Sequence, residues 1–159
     1  MPPAAPASQI IRGALLIDPA LRRAQPADIF LRGDSIAAIG PPGLAAPADA
    51  VPFDATGLLV HPGLINAHMH SHGGLGRGQG DKWTLELLLA AAPWLGGGRA
   101  LADKKLSATI CAAEMVLKGC TAAYDLFVEF PLPTRDGLDA AAEAYAEIGL
   151  RAVIAPMVD

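Results

Sequence analysis

The sequence has little cysteine, few aromatic residues and little charge. Its two cysteines among 159 residues, Cys111 and Cys120, have neither the spacing of a zinc knuckle nor the number needed for a disulfide framework, so we interpret them as buried free thiols. Aromatic residues make up 5% of the chain, and much of its 52% apolar content is alanine, so any core must be built from small side chains. With 18% charged residues, the chain does not have the composition of a disordered protein.

A block of basic residues and a long apolar run are also missing. The 12 basic and 16 acidic residues give a net charge of −4, which argues against nucleic-acid binding. Met1–Ile10 lacks the basic start and apolar centre of a secretory signal. The most apolar stretch, Leu85–Leu95, is too short to span a bilayer and contains Glu86 and Pro93. We therefore expect a cytoplasmic protein that is not attached to a membrane.

Residues 1–60 have the pattern of a small β domain. The Pro- and Ala-rich residues 1–8 are expected to be disordered. Beyond them, short apolar runs alternate with turn residues, and Gly33-Asp34 is typical of a tight hairpin. The predicted strands are Gln9–Ile17, Asp28–Arg32, Ser35–Ile39, Val51–Phe53 and Leu58–Val60.

Residues 61–159 form a second predicted domain, in which strands alternate with helices. The predicted elements are a strand at Leu64–His70, helices at Trp83–Ala92 and Asp103–Lys118, a strand at Thr121–Phe127, a helix at Leu138–Ile148 and a strand at Arg151–Met157. This order predicts an α/β fold in which parallel strands are covered by helices. A doubly wound sheet and a (β/α)8 barrel both begin in this way, but a complete barrel needs about 250 residues.

The segment that points most clearly to chemistry is the strand ending in His68-Met69-His70. Regular alternation places Asn66, His68 and His70 on one face, and Ala67 and Met69 on the face that packs against a helix. Two imidazoles on one strand face can chelate a single divalent ion. The pair also ends its strand, which is where βα barrels carry their catalytic groups. The same spacing is compatible with two polar strand-end histidines that bind nothing.

The run from Leu59 to His72 resembles the first-strand signature of the amidohydrolase superfamily: Pro-Gly, two hydrophobic residues, Asp or Asn, any residue, His, any residue, His. It is most similar to the branch of cytosine deaminases, guanine deaminases and chlorohydrolases, which often have Asn at the position of Asn66. The resemblance extends over about residues 9–159. It implies that residues 1–60 are part of a small β-sandwich and that residues 61–159 are the first three strands of a (β/α)8 TIM barrel.

The resemblance also implies a reaction and a cofactor. His68 and His70 would bind a divalent metal, with zinc expected and iron or manganese as alternatives, and a metal-activated water would attack a carbon bearing a leaving nitrogen or halide. His72 would contact a small-molecule substrate, or else be an ordinary loop histidine. A catalytic zinc usually has three protein ligands. The further ligands and the catalytic acid–base group are therefore expected beyond Asp159, and the chain alone is expected to be inactive.

Three other features allow more than one interpretation. The loop Gly73–Gly80 lacks the glycine spacing of a phosphate-binding loop and is expected to line the mouth of the site, with Arg77 as a candidate substrate contact. Asp125 and Glu129 follow a strand, and each is either a pocket-lining acid or an ordinary partner for a nearby base.

Two other classes of protein were weighed against the enzyme fragment. A truncated, non-catalytic protein would dimerise or bind a partner through its open sheet edge. However, the nearly uncharged strand Arg151–Met157 is typical of a strand with neighbours on both sides. A doubly wound protein of unrelated function is disfavoured, because no phosphate-loop glycine pattern follows its first strand. A homo-oligomer is compatible with the sequence, and poor solubility is expected if the chain is made alone.

Overall fold

The computed structural model describes residues 7–20 and 22–158, which form two compact units that divide between Pro62 and Gly63. The disorder expected for residues 1–8 falls mostly outside the described residues, although Ser8 already opens the first strand. None of the helices in these two ranges has the length and apolar character needed to cross a membrane.

The first unit is a single five-stranded sheet. Its strands are β1 (Ser8–Asp18), β2 (Arg23–Arg32), β3 (Ser35–Gly40), β4 (Val51–Asp54) and β5 (Leu59–Val60). β1, β2 and β3 form an antiparallel meander, while β4 and β5 both pair in parallel with β1. The predicted hairpin is confirmed, since Arg32 pairs with Ser35 and Gly33 has the positive φ of 58° that such a tight turn needs.

A buried carboxylate, Asp28, holds the long loop of this unit against the sheet. Its oxygens accept hydrogen bonds from the backbone amides of Gly13 at 2.9 Å, Gly43 at 2.8 Å and Leu44 at 3.2 Å, and from Arg12 Nη1 at 2.7 Å. These donors, the Gly13 amide first and then the Arg12 guanidinium, lower the pKa of Asp28 to about 2. The loop that follows β3 is therefore fixed by one acidic side chain of β2.

The second unit alternates strands and helices in the predicted order. It contains β6 (Leu64–Met69), a 3-10 turn (Ser71–Gly76), α1 (Leu85–Gly96), α2 (Leu101–Leu117), β7 (Cys120–Phe127), α3 (Arg135–Ile148) and β8 (Arg151–Pro156). β6, β7 and β8 form a parallel sheet in that order. The chain is thus a mixed α/β protein, as predicted.

Several helix boundaries differ from the sequence prediction, and two of the differences have a clear physical reason. α1 continues through Pro93 to Gly96, because the carbonyl of Pro93 still accepts a hydrogen bond from the Gly97 amide at 2.7 Å although proline itself cannot donate one. α2 begins at Leu101, two residues before the predicted start at Asp103, so Asp103 lies inside the first turn. The Asp103 carboxylate instead accepts a hydrogen bond from the amide of Ala100 at 3.2 Å, as in one half of a capping box.

Helices α2 and α3 cover one face of the parallel sheet with a core of mostly small residues. The buried residues are Ala108, Ala112, Met115, Ala123, Phe127, Ala141, Ala144, Tyr145 and Leu150. The alanines allow the helices to lie close to the strands. By contrast, Ile65 of β6 is 72% exposed and Val153 of β8 is 55% exposed. The sheet therefore has one covered face and one uncovered apolar face.

Candidate metal centre

Three histidines lie in a row at the carboxyl end of β6. The ring centroids of His68 and His70 are 5.0 Å apart, and those of His70 and His72 are 5.6 Å apart. His68 and His70 are both exposed. The three histidines that the sequence suggested for the site are thus brought together.

The strand that carries these histidines is not regular. From Asn66 to Met69, β6 advances three residues while β7 advances two, from Ala123 to Asp125, so β6 contains a bulge. Met69 packs against the core as predicted, but Asn66 does too, with its Nδ2 3.4 Å from the sulfur of Met115 in α2. The prediction that Asn66 shares a face with His68 is wrong, because the extra residue shifts the alternation of side chains.

Asn66 has a local role within the bulge. Its Oδ1 accepts a hydrogen bond from the backbone amide of His68 at 3.3 Å. An Asn side chain that accepts from the amide two residues ahead is a common way to stabilise an irregular backbone. Asn66, two residues before His68, therefore supports the backbone of His68.

The imidazole of His70 is oriented by the neighbouring strand. Its Nδ1 lies 2.9 Å from the carbonyl oxygen of Leu126 in β7. A carbonyl oxygen can only accept, so Nδ1 carries the proton and Nε2 keeps its lone pair in the neutral ring. Metal-binding histidines typically have this arrangement, with one ring nitrogen bonded to a carbonyl and the other left for the metal. The imidazole nitrogens present therefore fit a metal that is bound by nitrogen ligands.

His72 differs from the other two histidines because its ring is partly enclosed. Its Nδ1 is buried and has no hydrogen-bond partner among the described residues. Burial, and then the nearby His70, lower the pKa of His72 to about 4. His72 lines, with Arg99 and Phe130 among others, a cavity of about 20 Å³, large enough for about one water molecule.

Residues 7–20 and 22–158 contain no group of three or more His, Cys, Asp or Glu side chains arranged to hold a metal ion. The row at β6 therefore offers at most part of a coordination shell. Cys111 and Cys120 are free, as predicted, but half-buried rather than buried, and they lie outside this row.

The turn that follows His70 rests on a buried carboxylate, Asp125 of β7, which is 0% exposed. Asp125 accepts hydrogen bonds from the Ser71 amide at 2.9 Å, the Ser71 hydroxyl at 2.5 Å and the Tyr145 hydroxyl at 2.8 Å. Burial, followed by the charge of Asp125, raises the pKa of Tyr145. In the sequence, Asp125 was a candidate pocket-lining residue; in the structure it lies beneath the turn.

The remaining candidates have structural partners. Glu129 accepts hydrogen bonds from Lys104 and from the amide of Thr134 at 2.7 Å, so it anchors the start of α3. Burial acts to raise the pKa of Glu129, but these donors outweigh it and lower the pKa. Arg77, a candidate substrate contact, pairs with both carboxylate oxygens of Glu114 on α2.

Fold and site together define a class of protein. It is an α/β protein with a parallel sheet whose first strand ends in imidazoles suited to a divalent metal. The sequence profile of the amidohydrolase family matches residues 59–159, and the chain belongs to this family. The resemblance of Leu59–His72 to the amidohydrolase signature is thereby confirmed.

Known proteins resemble the chain over most of its length. The 5-methylthioadenosine/S-adenosylhomocysteine deaminase of Symbiobacterium thermophilum is 31% identical over 137 residues, which cover 81% of this chain and 30% of the deaminase. The structure of a triazine hydrolase from Arthrobacter aurescens has a TM-score of 0.78 and 30% identity, covering 92% of this chain and 35% of the hydrolase. An atrazine chlorohydrolase from Arthrobacter aurescens TC1, complexed with zinc, has a TM-score of 0.76 and 31% identity, covering 91% and 34%. The chain thus spans about a third of the length of these relatives.

Proposed function

We propose that this chain is part of a metal-dependent hydrolase that acts on carbon–nitrogen bonds other than peptide bonds, with His68 and His70 as two of its metal ligands. The observation that carries the proposal is the hydrogen bond from His70 Nδ1 to the Leu126 carbonyl, because it leaves Nε2 free beside the ring of His68. The zinc in the related chlorohydrolase supports zinc as the metal, with iron or manganese as alternatives.

Within this proposal, the second unit is the beginning of a (β/α)8 barrel and the first unit is part of a small β-sandwich. The uncovered face of β6, β7 and β8 would be the barrel interior, where exposed apolar residues such as Ile65 and Val153 would meet further strands. The chain covers about a third of each relative, so the other metal ligands and the catalytic acid–base group would come from segments outside this sequence. The 159 residues alone would then be inactive.

Three histidines of this chain would bind the metal and the substrate. His68 and His70 would hold the metal through neutral ring nitrogens, with the proton of His70 kept on Nδ1 by Leu126. A bound metal supplies Lewis acidity that lowers the pKa of a coordinated water toward neutrality. His72, which follows the pair in the same row, would contact the substrate.

The substrate class we propose is a small nitrogen heterocycle with an exocyclic leaving group. The relatives above are named as a deaminase of an adenosine derivative and as hydrolases of triazines. In either reaction, oxygen from water bonds to a ring carbon. In the carbon–nitrogen hydrolysis proposed for this chain, the bond from that carbon to the exocyclic nitrogen breaks, and the nitrogen takes up a proton from the water and leaves as ammonia. Such a reaction needs no further oxidant or reductant.

The test compares metal content in matched histidine variants of the full-length protein from its native source. His68→Ala combined with His70→Ala should abolish bound metal and hydrolysis, as measured by elemental analysis and by ammonia or chloride release. His61→Ala is the control, because His61 is an exposed histidine of the first unit. Unchanged metal stoichiometry in the double variant would show that these histidines are not ligands.

The uncovered sheet supports a second candidate, a non-catalytic protein that dimerises or binds a partner through this surface. Both β6 and β8 have a single neighbour in the three-stranded sheet, so each leaves an edge unpaired within it. The intact mass of the native protein distinguishes the candidates. A mass near 16.3 kDa favours partner binding, whereas a mass about three times larger, as in the relatives, favours the enzyme.

A further inference from the structure

Asp125 of β7 holds the turn that directly follows the histidine strand. It pairs in register with Met69, the residue between His68 and His70. Its carboxylate is fully buried, and two of its three hydrogen bonds go to Ser71, the residue directly after His70. A fully buried carboxylate is costly unless its acceptor positions are used, and here donors surround it.

These bonds leave the turn little freedom. The amide and the hydroxyl of Ser71 both donate to Asp125, and the carbonyl of Ser71 accepts from the Ser107 hydroxyl of α2 at 2.7 Å. Each polar group of Ser71 is therefore engaged. Tyr145 of α3 donates to the same carboxylate at 2.8 Å, on the oxygen that also accepts from the Ser71 hydroxyl, and so helps to hold Asp125 in place.

The adjacent residue on β7 orients the imidazole itself. Leu126 accepts the Nδ1 proton of His70, so two consecutive residues of β7 hold two consecutive residues at the end of β6. Asp125 fixes the backbone of Ser71, directly after His70, and Leu126 fixes the orientation of the His70 ring. A change at Asp125 should therefore move the ring nitrogen that faces the metal.

We propose that Asp125 is a positioning residue for the metal-binding histidines, which it aligns through Ser71 without touching metal or substrate. This inference rests on the proposed function, in which His68 and His70 are ligands. Groups that orient metal ligands typically contribute about 10- to 100-fold to metal affinity. Replacing Asp125 leaves the Ser71 donors short of an acceptor, so the turn should relax and the histidine pair should lose its alignment.

Glu129 provides a matched control. It is also a buried carboxylate just after β7, 8% exposed, and it is also held by several donors. It accepts hydrogen bonds from Lys104 of α2 and from Thr134 at the start of α3, and none of these donors belongs to the turn after His70. Glu129→Gln should therefore destabilise the fold without moving the metal ligands, and Asp125→Asn should do both.

The experiment measures zinc affinity by competition with a chelator in the full-length protein, alongside the melting temperature of the metal-free form. Asp125→Asn should weaken zinc binding by about 10- to 100-fold, and it should alter the visible spectrum of the cobalt-substituted protein. Glu129→Gln should lower the melting temperature but leave zinc affinity and the cobalt spectrum unchanged. If Asp125→Asn does not fold, Ser71→Ala removes one donor to the carboxylate and should still weaken zinc binding, by a smaller factor.

The outcomes separate the two proposals. If the double histidine variant loses zinc while Asp125→Asn, or Ser71→Ala in its place, binds it normally, Asp125 has no positioning role and the proposed function stands. Equal losses of zinc affinity in Asp125→Asn and Glu129→Gln would show that Asp125 contributes only to the general stability of the fold. If the double histidine variant keeps its zinc, both proposals fail.

Discussion

Phe127→Ala removes the largest fully buried side chain among the described residues. Phe127 is 1% exposed and packs in a cluster with Ala108 of α2 and Ala141 and Ala144 of α3. These buried neighbours are alanines in helices and have no longer side chains to fill the space left behind, although the partly buried Leu138 and Ile154 also pack against the cluster. We therefore expect the upper range for such truncations, a loss of about 3–5 kcal/mol in the free energy of unfolding.

Urea unfolding followed by circular dichroism at helical wavelengths is the suitable assay, because α1, α2 and α3 all lie in the second unit. A domain is typically stable by only about 5–15 kcal/mol, so the shift in the unfolding midpoint should be large. Phe127→Leu keeps most of the apolar volume and should cost less than about 1.5 kcal/mol. A loss below about 1 kcal/mol for Phe127→Ala would refute the packing described for this unit.

Two further predictions concern acid stability and a helix end, and they join the metal-content and zinc-affinity experiments above. The pKa of Asp28 is about 2 when folded and 3.8 as its ordinary value, so its stabilisation is fully present above about pH 4 and is lost as the pH falls toward 2. Asp28→Asn should flatten the fall in melting temperature over this window; an unchanged acid profile would contradict the role of Asp28. Gly149→Ala should cost about 1–2 kcal/mol, because Gly149 closes α3 with a φ of 81° that alanine rarely adopts. Gly98→Ala, at a glycine with open space around it and no positive φ, is the control and should be nearly neutral in the same urea titration.

The parts of the fold that follow local rules were predictable. The hairpin at Gly33-Asp34 and the glycine that closes α3 depend on backbone conformations that few other residues adopt. The alternation of apolar strands and amphipathic helices after His61 likewise predicted a parallel sheet. The predicted end of the first helix at Ala92 is wrong. The missing donor of Pro93 ends a helix only when the other hydrogen bonds around it are not made, and here the helix continues to Gly96.

The candidate site was likewise predictable from the sequence only in part. The sequence by itself determined that His68 and His70 stand close together, because residues two apart at the end of a strand cannot be far from each other. It could not show that Asn66 faces the helices, since the bulge arises where β6 pairs with β7. Nor could it show that Asp125 supports Ser71 or that Leu126 orients His70, because these pairs lie 54 and 56 residues apart along the chain. Contacts over such separations follow from how the strands pack against each other, and only the tertiary structure decides that.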